Sequence, residues 1–189
     1  MKQARVITET EMKRVLTLID AGKHAERNRL AVLLSYHAGL RAKEICSINM
    51  TDVIGTDGKV KDEIRLSSDQ TKGKRGRIIF LNSKLQKEIT AYLKAQPANG
   101  SYLPLIRSQK SNKPFSANTM VQLLCHLYKQ AGIDGASSHS GRRTFITTLA
   151  EKGIGARTLQ HLAGHKSLNT TQRYIDVNDT MLRKAVELL

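Results

Sequence analysis

The chain has 189 residues, of which 40% are hydrophobic and 25% charged, with three Pro and thirteen Gly. This composition excludes a disordered, collagen-like or low-complexity chain and is typical of one globular domain over residues 1–189. Lysine and arginine number 31 against 16 acidic residues, which gives a formal net charge of +15. Because the solubility of a small domain needs a net charge of at most about 8, we expect a polyanionic partner, with nucleic acid first.

The cysteines and the apolar segments argue against further classes of protein. Cys46 and Cys125 do not form a CxxC pair, which disfavours a disulfide framework or a zinc ribbon. No apolar stretch approaches the roughly 18 residues of a membrane span, and the first residues contain no apolar signal core. We therefore expect a cytoplasmic protein that does not associate with a membrane.

Apolar periodicity and capping signals predict a mainly α-helical domain with a small antiparallel sheet (α+β). Thr8 and Glu11 have the spacing of a capping box, and Gly39 stands where a helix is expected to end. Residues 63–66 alternate between polar and apolar, and residues 78–81 are apolar. The two segments flank a basic turn, which predicts an antiparallel hairpin. The predicted helices cover residues 8–21, 27–38, 42–48, 83–97, 116–130, 141–152, 156–163, 168–175 and 179–189.

Basic residues are concentrated in segments that contain no acid. Between Ile89 and Ile133 the sequence has no Asp or Glu, and the hairpin turn over residues 71–77 lacks them too. Such segments are typical of a surface that faces phosphate groups. For the loop over residues 107–114, a solvated basic loop is the alternative interpretation.

Three short segments carry residues that can act on a phosphodiester. The first is the Gly-Leu-Arg sequence at residues 39–41. The second places His139 and Arg142 one helical turn apart on the same side. In the third, a Gly-His pair at residues 164–165 forms a turn, and the helix that follows carries Tyr174.

These residue types indicate transesterification of a nucleic acid strand. The guanidinium groups of Arg41 and Arg142 can bind the non-bridging oxygens of a phosphodiester through paired hydrogen bonds. The phenol of Tyr174 can attack the phosphorus, helped by His139 as a base or by the positive field of the arginines. Lys72, on the predicted hairpin, can protonate the departing 5′ oxygen. Because the bond energy is stored in a phosphotyrosine ester, such a reaction is reversible.

The segments resemble the catalytic domain of the tyrosine recombinases, also called phage integrases. The first arginine box, the hairpin lysine, the His-x-x-Arg box, the Gly-His pair and the tyrosine nucleophile occur in the family's order. The resemblance runs from about Thr8 to the end of the chain, and its catalytic positions are Arg41, Lys72, His139, Arg142, His165 and Tyr174. It implies a site-specific recombinase that cuts and rejoins DNA through a 3′-phosphotyrosine, for integration, excision or inversion of a segment.

The resemblance also implies the partners and the role of each site residue. The expected partner is double-stranded DNA at a specific site, bound by a homodimer or homotetramer with accessory DNA-bending proteins and without a cofactor. Arg41 and Arg142 would clamp the scissile phosphate, and Tyr174 would attack it. His139 would assist proton transfer, and His165 would hydrogen-bond the phosphate.

The general acid and the further DNA contacts come from neighbouring basic residues. Lys72 matches the lysine of the family's hairpin, but Lys74 lies two residues away on the same side and is the alternative acid. Glu44 is expected to support the first arginine box and its packing rather than the chemistry. The residues expected to contact DNA are Lys74, Arg75, Arg77 and Arg143.

Other functions compete with this interpretation. Residues 156–175 have the outline of a helix-turn-helix, which would make the protein a non-catalytic DNA binder. A type IB topoisomerase would use the same phosphotyrosine chemistry. His161 and His165 have the i, i+4 spacing of metal ligands, but the segment lacks the Glu of the zinc protease motif, so no metal site is predicted.

Several features depart from the usual family pattern. Family members usually carry an N-terminal DNA-gripping domain, for which the residues before Gly39 leave no room, so we expect weak DNA binding by a monomer. Gly141 and Arg143 stand where Leu and His are common. The helix over residues 179–189 is compatible both with packing on its own domain and with exchange between subunits.

Overall fold

The computed structural model describes residues 3–71, 75–96, 103–108, 111, 113–175, 182–183 and 186–187. It confirms the α+β class, because the described residues form helices and a two-stranded antiparallel sheet of β1 (Glu63–Leu66) and β2 (Arg77–Phe80). The helices are α1 (Glu9–Asp20), α2 (Ala25–Ala38), α3 (Ala42–Ser47), α4 (Met50–Val53), α5 (Ser83–Ala95), α6 (Ala117–Gln130), α7 (Ser140–Glu151), α8 (Ala156–Ala163) and α9 (Leu168–Gln172). None of the described helices has both the length and the apolarity to cross a bilayer.

The capping signals of the first two helices form as predicted. Thr8 accepts a hydrogen bond from the backbone N–H of Glu11 at 3.2 Å, and the Glu11 carboxylate accepts one from the Thr8 N–H at 2.9 Å. These bonds satisfy N–H groups that lack partners within α1. α2 ends at Gly39, whose φ of +62° lies in the left-handed region that favours glycine.

One short helix, α4, and the capping residue of α5 differ from the sequence prediction. α4 is not predicted, because its four residues are too few to show an apolar period; its capping box lets Asp52 accept from the Asn49 N–H at 2.8 Å. α5 is capped by Asn82 rather than Ser83, since the Asn82 side chain accepts from the Leu85 N–H at 2.9 Å.

The described C-terminal part of the chain also contains less helix than predicted. α9 ends at Gln172 rather than at Ile175, and the next two residues form a turn. The helix predicted over residues 179–189 lies largely outside the described residues, as does Pro97.

The centre of the domain is α2, which packs against α1, α3, α5, α6 and α7. Its residues 30–35 are all buried, so it is apolar around most of its circumference rather than along one stripe. Burial on every side places both ends of α2 firmly, and Gly39 at its C-terminal end lies beside α7, where the ring of Phe145 packs against it.

The sheet turns one basic side chain of β2 toward the protein interior. Glu63 pairs with Phe80 and Leu66 with Arg77, so alternate residues of β2 face opposite sides. Ile79 is buried and the side chain of Arg77 is only 9% exposed, whereas Phe80 is 59% exposed. β2 packs against α8, and this contact brings the hairpin to the end of α8.

Replacing Gly39 by Ala is expected to destabilise the fold. A Cβ at Gly39 would lie 2.6 Å from Cδ1 of Phe145 and would also adopt the left-handed conformation at φ +62°. We expect the free energy of unfolding to fall by about 3 kcal/mol, from the conformational cost and the clash together. Urea unfolding followed by circular dichroism measures this change.

Gly58→Ala is the matched control for that substitution. Its φ is +76°, but a Cβ there meets no atom within 4 Å. Only the conformational cost of about 1 kcal/mol should appear. Equal losses in the two variants would show that Phe145 does not restrict position 39.

Candidate active site

Three arginines meet at the carbonyl end of α8. Nη1 of Arg77 donates to the Leu162 carbonyl at 2.8 Å, Nη2 of Arg142 donates to the Ala163 carbonyl, and Nη2 of Arg41 donates to the Gly164 carbonyl at 3.3 Å. The last carbonyls of a helix have no partners within it and carry partial negative charge. Three guanidinium groups from three different elements are therefore bound by successive backbone oxygens.

A buried carboxylate, Glu44, joins two of these arginines. Its Oε1 accepts from Nη1 of Arg41 at 2.8 Å, and its Oε2 accepts from Nη2 of Arg77 at 2.7 Å and from the Arg41 backbone N–H at 2.8 Å. The Glu44 side chain is 0% exposed. Burial alone would raise the pKa of Glu44, but the charges and hydrogen bonds of Arg77 and Arg41 outweigh it and hold that pKa below its usual range. Glu44 is therefore an anion at neutral pH.

Arg142 lies deepest of the three arginines and joins two helix ends. Besides the Ala163 carbonyl, its guanidinium binds the Gly39 carbonyl at 2.5 Å, at the end of α2. Burial, with the charges of Arg41 and Arg77, lowers the pKa of Arg142 to about 9. Two of its five N–H donors meet these carbonyls. A nearby anion would stabilise this cation strongly, because water does not screen it.

Gly141 allows Arg142 to reach that position. A Cβ at Gly141 would lie 2.8 Å from Oγ of Ser35 and 3.1 Å from Oη of Tyr128. The first turn of α7 therefore approaches α2 and α6 more closely than a larger residue would permit. Close approach of α7 carries Arg142 to the carbonyl end of α2.

His165 and Tyr174 lie side by side next to the arginines. Their rings stack with centroids 5.5 Å apart and an interplanar angle of 23°. The guanidinium carbon of Arg143 is 5.7 Å from the centroid of the Tyr174 ring. Thr171, which is fully buried, shares a hydrogen bond of 2.9 Å with Nδ1 of His165 and so orients the imidazole. The Tyr174 side chain is close enough to Arg142 to raise the pKa of that guanidinium, against the larger effects that lower it.

The imidazole of His165 is neutral at physiological pH. Burial, together with the charges of Arg142, Arg41 and Arg77, lowers the pKa of His165 to about 4. When the Thr171 hydroxyl donates to Nδ1, the ring proton lies on Nε2, and that N–H is available to an acceptor. His165 is therefore suited to hydrogen-bond an oxyanion rather than to carry a charge.

An open cleft of about 980 Å³ runs past Arg41, Glu44 and His165. Four cations line it, Arg41, Arg75, Arg77 and Lys166, and Glu44 is the carboxylate among its described lining residues. The excess of positive charge favours a polyanion. Over the described part of the chain, no three His, Cys, Asp or Glu side chains come together as a metal site would require.

Comparison with known proteins assigns the chain to a family. The model of the phage integrase family matches residues 5–181. This chain belongs to the phage integrase family. The match confirms the resemblance drawn from the sequence motifs.

Named relatives of this integrase-family chain are tyrosine recombinases. It is 34% identical over 183 residues to tyrosine recombinase XerA of Thermococcus kodakarensis and 34% identical over 184 residues to tyrosine recombinase XerC of Caldanaerobacter subterraneus. The alignments cover 97% and 95% of this chain but 62% and 49% of those proteins. The chain thus spans roughly half to three fifths of the length of the relatives it matches.

Solved structures show the same fold. A crystal structure of XerA recombinase superposes on 100% of this chain with a TM-score of 0.74 and 24% identity, over 64% of its own length. The Tn1549 transposon integrase in complex with transposon right-end DNA superposes on 100% with a TM-score of 0.73 and 19% identity, over 67% of its length. These neighbours support the α+β assignment of this integrase-family domain.

The structure brings four of the six predicted catalytic residues together. Arg41, Arg142, His165 and Tyr174 meet at the end of α8, although they come from three different segments. His139 directly precedes α7 and is exposed, one turn before Arg142. Lys72 and its alternative Lys74 lie outside the described residues, so their roles stay predictions.

The residues predicted to bind DNA occupy different environments. Arg75 is exposed and lines the cleft. Arg143 contacts the Tyr174 ring. Arg77 lies inside, with its guanidinium engaged by Glu44 and the Leu162 carbonyl.

Sequence reasoning missed Thr171 as a site residue. Its backbone carbonyl accepts from the Tyr174 N–H at 2.9 Å while its hydroxyl binds His165. Thr171 therefore connects Tyr174 to the imidazole. The spacing of three residues before Tyr174 is a signal that helical periodicity could have supplied.

Titration of His165 tests the electrostatics of this site. We expect proton NMR to report a pKa of about 4 for His165, with the signal assigned from a His165→Asn variant. Arg41→Gln should raise this pKa, because it removes one of the charges that lower it. A value at or above the ordinary 6.5 would contradict the burial and charge that the structure assigns to this ring.

The same shift has a consequence for stability. Since the pKa of folded His165 lies below that of the unfolded chain, the unfolded chain takes up the proton first as the pH falls from about 6.5 to about 4. The contribution of His165 therefore lowers the free energy of unfolding through this window. In His165→Asn that pH-dependent loss should be smaller.

Proposed function

We propose that this chain is the catalytic domain of a site-specific DNA recombinase that cuts and rejoins strands through a 3′-phosphotyrosine. The observation that carries the proposal is the Tyr174 ring stacked on His165 beside the guanidinium groups of Arg142 and Arg41. A phenol next to a cluster of cations is suited to attack a phosphate, since the cations stabilise the negative charge of the transition state.

The positive cluster supports a phosphate-binding role. Arg41 and Arg142 can donate to the non-bridging oxygens, whose negative charge increases in the pentacovalent transition state. The neutral His165 adds a hydrogen-bond donor without adding further charge. Because Glu44 and backbone carbonyls hold these groups in advance, little reorganisation is needed when the phosphate binds.

The chemical step exchanges one ester for another. Oη of Tyr174 forms a bond to phosphorus as the bond from phosphorus to the 5′ oxygen breaks. The phenolic proton passes to a base, for which His139 is the proposed residue, and the leaving oxygen takes a proton from the proposed acid, Lys72 or Lys74. A 5′ hydroxyl then reverses these steps to rejoin a strand, so no cofactor is consumed.

The proposed substrate is double-stranded DNA at a specific site. Arg41, Arg75 and Lys166 in the cleft and the net charge of +15 support binding to phosphates, and Arg75 and Arg143 are proposed DNA contacts. We also propose that the protein acts on DNA as a homodimer or homotetramer, together with accessory bending proteins. Among the structural neighbours, the Tn1549 integrase is in complex with transposon right-end DNA and XerH is bound to a difH substrate.

Covalent capture tests the proposal. Nicked duplexes with a randomised centre are incubated with the protein, denatured, and scored for DNA that stays attached. We expect an adduct with the wild type and none with Tyr174→Phe, because phenylalanine has no oxygen to form the ester. DNA binding by Tyr174→Phe should equal that of the wild type.

Two results would contradict this proposal. An adduct that persists in Tyr174→Phe would show that another side chain is the nucleophile. Failure of the wild type to trap any duplex of the pool would argue against strand cleavage by this chain.

The clamp role of Arg142 can be tested on the captured substrate. Arg142→Lys keeps a charge but loses the planar fork, so the single-turnover cleavage rate should fall by about a hundredfold, or roughly 3 kcal/mol of transition-state stabilisation. Arg14→Lys, on α1 and outside the cleft, is the control and should cleave at the wild-type rate. A change of less than tenfold in Arg142→Lys would exclude the clamp role.

A further inference from the structure

Arg77 differs in its surroundings from a DNA-contacting residue. Its side chain is 9% exposed, its Nη2 binds Glu44 at 2.7 Å and its Nη1 binds the Leu162 carbonyl at 2.8 Å. Resting on the proposed function, we propose that Arg77 is a positioning residue that orients the clamp residue Arg41 through Glu44, and that it does not contact DNA.

Glu44 transmits the effect because its two oxygens are divided between the two arginines. Oε1 binds the Arg41 guanidinium, and Oε2 binds the guanidinium of Arg77. With both oxygens occupied, the plane of the carboxylate is set, and the direction in which Arg41 is held follows from that plane. Removing Arg77 leaves Oε2 with the Arg41 backbone N–H alone among these partners, so the carboxylate can rotate.

Arg77 is also the stronger counter-ion of Glu44. Among the groups that lower the pKa of this buried carboxylate, Arg77 contributes more than Arg41. A buried carboxylate that loses its main counter-ion draws the remaining cation closer. Arg41 would then be bound by Glu44 at the expense of the phosphate.

Packing against Gly164 fixes Arg77 itself. A Cβ at Gly164 would lie 2.6 Å from Cδ of Arg77, so the stem of the arginine fills the space that glycine leaves open. Gly164 has a φ of +61°, and its carbonyl binds Arg41. Arg77 is therefore held between the turn after α8 and Glu44, with Arg41 bonded to both.

The test compares Arg77→Lys with Arg65→Lys. Lysine keeps the charge but cannot bridge two acceptors in the fork geometry of arginine. Arg65, on the neighbouring strand with its side chain 75% exposed, is the matched control. Affinity for a random-sequence duplex is measured over a series of salt concentrations, because phosphate contacts are independent of sequence.

For Arg77→Lys we expect a cleavage rate reduced about tenfold or more, since misplacement of a clamp residue affects the reaction rather than overall binding. For Arg77→Met, which removes the charge, we expect an unchanged salt slope. Arg65→Lys should change neither. A slope that falls by about 0.9 in Arg77→Met, the effect of losing one phosphate contact, would overturn the proposal. Wild-type cleavage in Arg77→Lys would overturn it too.

A double variant separates positioning from a general loss of structure. If Arg77 acts through Arg41, the cleavage rate of Arg41→Lys/Arg77→Lys should equal that of Arg41→Lys alone. Multiplied losses in the double variant would show that the two residues act independently and would overturn the proposal.

NMR of the Arg41 guanidinium provides a readout that does not depend on cleavage. In the wild type its bonds to Glu44 and Gly164 should slow rotation and separate the Nη proton signals, which should merge in Arg77→Lys. Unchanged signals would overturn the proposal. If the wild type forms no covalent adduct, the proposed function fails, whereas this measurement still tests the role of Arg77.

A second variant covers the case in which Arg77→Lys does not fold. Glu44→Gln/Arg77→Met removes both charges together and so avoids an unpaired buried carboxylate. The Arg41 signals should merge in this variant as well, and separate signals would overturn the proposal.

Discussion

Gathering like charges in a buried site is the constraint on which the rest of this structure depends. Arg41 lowers the pKa of both Arg77 and Arg142, and Glu44 is the carboxylate that the described residues place among these arginines. Such a cluster is costly in a medium of low permittivity. Partial negative charges at the end of α8 offset some of the repulsion. A DNA phosphate can neutralise the positive charge that remains in the proposed reaction.

Helix ends supply much of the partial negative charge that offsets this repulsion. Arg142 bonds to the last carbonyls of both α2 and α8, and each of these helices is closed by a glycine in the left-handed conformation, Gly39 and Gly164. Because the terminal carbonyls of both helices point at the same guanidinium, the packing of α2, α7 and α8 determines the site's electrostatics. Oriented dipoles of this kind are in place before any substrate arrives.

The two halves of the site are held by interactions of different strength. Charge-assisted hydrogen bonds hold Arg41 and Arg142, and these are roughly twice as strong as neutral ones. Tyr174 is held by a stacked imidazole, a guanidinium near its ring and backbone hydrogen bonds at the end of the five-residue α9. The half proposed to bind the phosphate is therefore held by the stronger interactions.

By itself, the sequence determined the hairpin, most of the described helices and the candidate residues for the chemistry, because caps, glycine stops and apolar spacing act over a few neighbouring positions. Gly39 ends α2 as its local signal predicts. Only the tertiary structure decided that Arg77 turns inward to Glu44, 33 residues away, since no local pattern separates an arginine that meets a buried carboxylate from one that faces solvent. The bond between Thr171 and His165 likewise depends on how the turn at Gly164 folds α9 back, which is a matter of packing rather than of spacing along the chain.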